Sequence, residues 1–262
     1  MNMRILGKPT HSEFDKQLLK KKYDDIEIMA VSDINEWINS QEENIQYTNM
    51  NKIKVLELFK GTGSITKYYE GTDVEVISLD ILERFNPTIL CDIIEFDYKK
   101  YPIGYFDIIW ASPECKVYSS MNIMNIGENQ KYKSKEDLIS KQKEDSKFIN
   151  RTIEIIEYLK PKNYFIENPL NSAIWKYIDN EEFKSKFIIV DYCYFGYDYK
   201  KPTKILTDKN IDNKRCGCKK HEKVVCWTNK KDRRPHHNQL LDQKYSIPQN
   251  LLKYLLSVSE IS

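Results

Sequence analysis

KIKVLELFKGTGS, running from Lys52 to Ser64, decides the fold of this chain. Its first part, Lys52 to Phe59, is mostly apolar and rich in branched side chains, the pattern of a parallel strand buried on both faces. The run passes straight into Gly61 and Gly63, which let a backbone turn tightly and approach a ligand. A strand, a glycine turn and a helix are expected in that order. VEVISLD, Val74 to Asp80, repeats the pattern after a gap that fits one short helix. Further strands are expected at Thr88 to Leu90, in FDIIWASP (Phe106 to Pro113) and in YFIENP (Tyr164 to Pro169). KFIIVDYCYFG (Lys186 to Gly196) and TKILTD (Thr203 to Asp208) read as the last two strands, an antiparallel pair at the sheet edge. Ile149, Ile153, Ile156 and Leu159 recur at helical spacing and predict a helix over 134–159. Pro248, with Leu251, Leu252, Leu255 and Leu256 behind it, predicts a terminal helix over 246–257.

Strands separated by helices predict an α/β fold, a doubly wound and mostly parallel sheet covered on both faces. Ligands of such sheets bind at the C-terminal ends of the strands. The unusual polar groups fall there: Glu57 to Gly63, Asp80, Asp92, Ser112 to Cys115, and Glu167 to Pro169. The expected organisation is an N-terminal extension over 1–50, with helices near 12–22 and 33–39, then the α/β domain over 51–208. A short basic Cys/His segment follows over 209–244, and 245–262 forms a helix that packs on the domain.

A chain of 262 residues can bury one substantial core. Its 41 Lys and Arg nearly balance 39 Asp and Glu, so the net charge of +2 gives no global attraction for polyanions. A phosphate-binding surface would have to be local. Lys200 and Lys201 are one candidate, and the run Lys214, Arg215, Lys219, Lys220, Lys223, Lys230, Lys231, Arg233, Arg234 is the other. A solvated charged face explains the same run equally well. The N-terminus lacks the apolar segment of a signal peptide and no stretch approaches about 18 apolar residues, so a soluble, intracellular protein without a membrane partner is expected. The six cysteines are too few and too clustered for a disulfide framework. Cys216, Cys218, His221 and Cys226 are residue types that zinc accepts, although C-x-C-x2-H-x4-C is tighter than the common spacing. The alternative there is a surface loop with free thiols.

The chemistry begins at the glycine turn. A dinucleotide fingerprint needs a third glycine where GTGSIT has Thr66, which argues against a pyrophosphate. Glu57 would set a negative charge beside the turn, better suited to a cationic sulfonium or amino group. Asp80 is placed to accept from ribose hydroxyls, and Asp92 to meet an adenine amino group. Cys115, after Pro113 in ASPEC, reads either as a nucleophile at the mouth of the sheet or as an inert small hydrophobe. Glu167 reads either as a helix cap or as a carboxyl group that shares a proton with a ring nitrogen. Cysteine and acid together fit one reaction. C5 of cytosine is a poor nucleophile until a thiolate adds at C6, with Glu167 engaging N3.

In this combination the sequence resembles the DNA cytosine-5 methyltransferase family, particularly its small, divergent phage and viral members, over about 52–208 and 245–257. LELFKGTGS resembles the first cofactor motif, SPECKVYS the proline-cysteine motif and FIENP the Glu-Asn motif. The resemblance implies an S-adenosylmethionine-dependent methyltransferase fold. It implies that S-adenosylmethionine is held by Glu57, Phe59, Gly61, Gly63, Asp80, Ile81, Asp92 and Ser112. It further implies catalysis by Cys115 and Glu167 in a single copy acting on duplex DNA with a flipped cytosine. Departures are visible. Glu114 replaces a second proline, and FGYDYKKPTKILTD replaces the family's glutamine and paired arginines, so that Lys201 falls about where an arginine would contact the base. The target-recognition region shrinks to Lys209–Lys244. RNA, tRNA included, therefore stands as an alternative substrate, and a nucleic-acid-binding protein without turnover as another. An amino-methyltransferase is disfavoured because SPEC lacks that class's aromatic residue.

Overall fold

The computed structural model describes residues 52–197, 200–216 and 245–256. The chain divides into two compact units, Met1–Lys52 and Ile53–Ser262, and the second contains the sheet and the helices that cover it. The expected helices near 12–22 and 33–39, and the basic run beyond Cys216, lie outside the described residues.

Seven strands form one sheet: β1 (Lys54–Leu58), β2 (Glu75–Asp80), β3 (Ile89–Leu90), β4 (Ile108–Ala111), β5 (Asn163–Pro169), β6 (Phe187–Asp191) and β7 (Pro202–Leu206). Their spatial order is β3-β2-β1-β4-β5-β7-β6. The strands β3-β2-β1-β4-β5 are parallel, and β7 enters antiparallel between β5 and β6. This is the doubly wound, mostly parallel sheet that the sequence predicts, closed by the antiparallel pair expected at its edge. The pleat sends alternate residues of each strand to opposite faces, and both faces are apolar. Leu56, Leu58, Ile109, Ala111 and Ile166 pack beneath helix α2 (Lys135–Leu159). Val55, Ile108, Trp110 and Phe165 pack on the other face against Ile65 of helix α1 (Ser64–Tyr68) and the leucines of α4 (Gln249–Leu256).

Helix α2 starts where the Ser134 hydroxyl accepts the Asp137 N–H at 3.2 Å, and it ends at Lys160 with a left-handed φ of 46°. The crossover from β5 to β6 is much slighter, with a 3-10 turn over Ala173–Lys176 and the short helix α3 (Glu181–Ser185). The expected strand through Gly196 stops earlier. Beyond Asp191 the chain coils into a 3-10 turn, Tyr192–Phe195, which Gly196 closes at φ 93° so that β7 can return alongside. The long polar stretch after Cys115 is folded and pinned. The Asn122 amide donates to the carbonyls of Lys116 (2.7 Å) and Val117 (2.9 Å).

Candidate active site

The turn after β1 is built from three left-handed residues, Phe59 (φ 58°), Gly61 (49°) and Gly63 (69°). A Cβ at Gly61 would meet only the Phe59 carbonyl at 3.8 Å, so conformation rather than space requires glycine there. Phe59 has no such freedom. A bulky residue in this region costs roughly 1–3 kcal/mol, and it lines the cleft at the strand ends. Asp80 ties the turn to β2. One carboxylate oxygen accepts the Gly61 N–H at 2.9 Å and the other the Leu82 N–H at 2.8 Å.

Glu57 reaches the turn but not the cleft. Its carboxylate accepts the N–H groups of Ile65 (3.1 Å) and Thr66 (3.2 Å) and the Thr66 hydroxyl (2.5 Å), capping α1. Gly63, the capping position itself, has no side chain to do this. Glu57, expected beside a cationic ligand, thus bears on the turn through Ile65 and Thr66. The acid is 3% exposed, and burial pushes its carboxyl up despite the bonds from Thr66 and Ile65. Ser112, also expected at the cofactor, follows β4 directly. Its hydroxyl accepts the Trp110 indole N–H at 3.0 Å and it does not line the cleft.

Phe59, Asp80, Ile81, Asp92, Pro113 and Glu114 do line that cleft. Asp92 accepts the Ile94 N–H at 2.9 Å, and Ile81 is 62% exposed. Sequence reasoning missed Asp145 and Phe148, which α2 brings to the far wall. Their three-residue spacing on one helix face was the available signal. For Phe59 the backbone strain had no signal in the sequence. This donor set fits an adenosyl ligand. Carboxylates at the ends of adjacent strands can accept from hydroxyl and amino groups, and apolar side chains between them can hold a flat ring.

The second group lies where β4, β5 and β7 meet. Cys115 follows β4 and is half-buried. Glu167, 6% exposed on β5, accepts the Tyr192 hydroxyl at 3.0 Å, and the Lys201 ammonium stands 3.4 Å from the same oxygen. Lys201 also sits 4.5 Å over the Tyr192 ring. The Cys115 thiol is pushed up by burial and then by the Glu167 carboxylate, with Lys201 acting against them. The Cys115 thiol thus lies in the field of the Glu167–Lys201 pair. Asn168 donates to the Pro113 carbonyl at 2.8 Å and so clamps the cysteine loop to β5. Its buried side-chain oxygen has no hydrogen-bond partner among the described residues. Tyr192 was missed, since a tyrosine ending an apolar strand reads as core.

The described basic residues are partly spent inside the protein. Arg215 (3.0 Å) and Lys200 (3.8 Å) face the buried Asp191, and Lys214 pairs with Asp212 at 3.9 Å. Of the four residues expected at a zinc site, Cys216 is the one described, and its N–H donates to Asp191 at 2.8 Å. Cys218, His221 and Cys226 lie outside the described residues. Among the described residues no cluster of three or more His, Cys, Asp or Glu could hold a metal ion, and no helix is long and apolar enough to cross a membrane.

No family model matches the chain. A curated viral protein, the "Probable DNA (cytosine-5)-methyltransferase" of Frog virus 3 (isolate Goorha), is 34% identical over 164 residues, covering 60% of this chain and 71% of the relative. Solved structures resemble it more distantly. The Entamoeba histolytica methyltransferase EhMeth is 20% identical at a TM-score of 0.45, covering 63% of this chain and 57% of that one. A Spodoptera frugiperda DNMT2 mutant is 17% identical at a TM-score of 0.41, covering 64% and 56%. The chain thus spans just over half the length of these two solved structures.

Proposed function

The chain belongs to the cytosine-5 methyltransferase family, and from that premise we propose that it moves a methyl group from S-adenosylmethionine to C5 of a cytosine in a nucleic acid, with Cys115 as nucleophile. The coupled arrangement of Cys115, Glu167 and Lys201 carries the reading. Phe59, Ile81, Asp80 and Asp92 would hold the cofactor, with Gly61, Gly63 and Glu57 acting through the turn. When bound, S-adenosylmethionine supplies an electrophilic methyl group on a sulfonium.

The protein's own residues set up the acceptor. The Cys115 thiolate adds to C6 of the ring while Glu167 shares a proton with N3, so the electron pair from the C5–C6 bond becomes available at C5. After C5 has taken the methyl group, loss of its proton re-forms the double bond and expels the thiolate. Glu167 also links binding to activation. Sharing a proton with N3 reduces the negative charge that holds the Cys115 thiol up, so an arriving base favours the thiolate. Lys201, beside Glu167, would reach the O2 of the same ring and supply charge where the family has arginine, though not a two-pronged fork.

DNA is supported as substrate by the name of the viral relative. RNA is supported by the short segment between β7 and α4, which leaves little room for reading duplex sequence, and the cysteine chemistry serves both polymers. The test is transfer of radiolabelled methyl from S-adenosylmethionine to unmethylated DNA, poly(dI-dC) and bulk RNA, with nucleoside analysis. 5-Methylcytosine that disappears in Cys115→Ser is the expected product. Label in an exocyclic amine would refute the covalent route.

A further inference from the structure

A second groove opens beside the loop that carries Cys115. It runs from Ser119 and Ser120, past Lys135 at the start of α2, to Phe187 on β6 and Lys204 on β7, with the 170–177 segment as one wall. It exists because the β5-to-β6 crossover is slight. A long helix there would cover Phe187, Ile189 and Lys204 on the outer part of the sheet.

Its composition is one-sided. Among the described residues Lys135, Lys176 and Lys204 line it and no carboxylate does. The two acids that follow Lys135 turn elsewhere: the Glu136 carboxylate bonds the Ser134 side chain, and that of Asp137 accepts the Lys133 N–H at 3.1 Å. Lys204 is packed between rings, 3.9 Å from the Phe187 centroid and 5.2 Å from that of Trp175. Burial pulls its ammonium down, with no described carboxylate acting against it. Trp175 is fixed in direction because its indole N–H donates to the Pro169 carbonyl at 2.9 Å, two residues after Glu167. Phe187 is 43% exposed. Cations without a facing anion, interleaved with accessible ring faces, suit a chain that offers phosphates and unstacked bases together. A duplex offers the phosphates but keeps its bases stacked on one another.

We propose that this groove holds the unpaired polynucleotide strand flanking the target cytosine. The inference rests on the reading of the site as a nucleic-acid methyltransferase and names the form its substrate takes. Lys135, Lys176 and Lys204 meet phosphates, while Trp175 and Phe187 take base faces.

Fluorescence anisotropy of short labelled single-stranded DNA, single-stranded RNA and the matching duplex, titrated with the full chain over a range of KCl, tests this. Single strands are expected to bind more tightly than duplex. Replacing the three lysines by alanine should reduce the log–log salt slope by about 2, from about 0.7 per lost phosphate contact. Phe187→Ala, at an exposed position, should weaken single-strand binding about tenfold, on the order of one lost base stack. An unchanged slope in a folded triple variant overturns the proposal. So does duplex binding that is equally tight and equally sensitive, or a triple variant that changes only self-association. Methyl transfer measured in parallel separates the two readings. Transfer with binding indifferent to these substitutions removes the groove and keeps the enzyme, whereas groove-dependent binding without transfer keeps the groove and removes the enzyme.

Discussion

Replacing Glu57 with alanine removes the acceptor for two backbone N–H groups and one hydroxyl at the start of α1. Loss of an N-terminal cap costs about 0.5–2 kcal/mol, and a buried donor left without a partner about 1–3 kcal/mol. Relief from holding a buried carboxylate offsets part of this, leaving a net loss of about 2–3 kcal/mol. At a urea dependence of about 3 kcal/mol per molar, the unfolding midpoint should fall by just under about 1 M. Glutamine gives a sharper comparison. Burial raises the Glu57 carboxyl above its ordinary value, so the folded protein binds this proton more tightly than the unfolded chain. Stability from the group is then greatest below the unfolded value and falls as pH rises through the raised one. An uncharged amide that keeps one acceptor oxygen should therefore cost less than about 1 kcal/mol at neutral pH. Wild type should also lose ground to Glu57→Gln as pH rises across that window. Urea titrations followed by circular dichroism at acidic and neutral pH measure all three proteins. A shift under about 0.2 M for Glu57→Ala, or equal losses for alanine and glutamine, would refute the capping account.

Because burial and then Glu167 raise the Cys115 thiol, kcat/KM for methyl transfer should climb with pH to beyond the ordinary thiol range. Lys201→Met should push that limb higher and Lys201→Arg should return it, and a limb that stays put in both variants would contradict the coupling. Phe59→Gly removes left-handed strain and a cleft-lining ring together. Its stability should stay within about 1 kcal/mol of wild type while calorimetry records S-adenosylmethionine binding weakened about tenfold, on the order of 1.4 kcal/mol. Gly63→Ala forces a side chain into φ 69° and to 3.2 Å from the Lys60 side chain, so thermal unfolding should report a loss of about 1–2 kcal/mol.

How much of the molecule was legible in the sequence depends on the range of each interaction. β1, its glycine turn and α2 are local patterns, and they appear within a residue or two of their expected bounds. Asp80 could be placed because a strand end is itself a local feature. Lys201 was found by its offset from the Glu-Asn motif, yet its distance from Glu167 depends on β7 pairing antiparallel with β5, which no local pattern encodes. Tyr192 was invisible for the same reason, since its hydroxyl meets Glu167 only through the order β5-β7-β6. Glu57 was located at the turn, but its bonds to the start of α1 were not foreseen. An acid near a turn can face a ligand or a helix start, and Gly63, having no side chain of its own, decides for the helix.

The antiparallel entry of β7 also makes that strand a ruler. Lys201 stands beside Glu167 and Lys204 in the neighbouring groove, three residues or about 10 Å apart along an extended backbone. The connection between β6 and β7 can lengthen or shorten without altering that interval, because pairing with β5 and β6 fixes the strand from both sides. One residue inserted between the two lysines would instead reverse the pleat, turning Lys204 into the opposite core and leaving the groove without its central charge. Length variation in this chain is tolerable on one side of Lys201 and prohibited on the other.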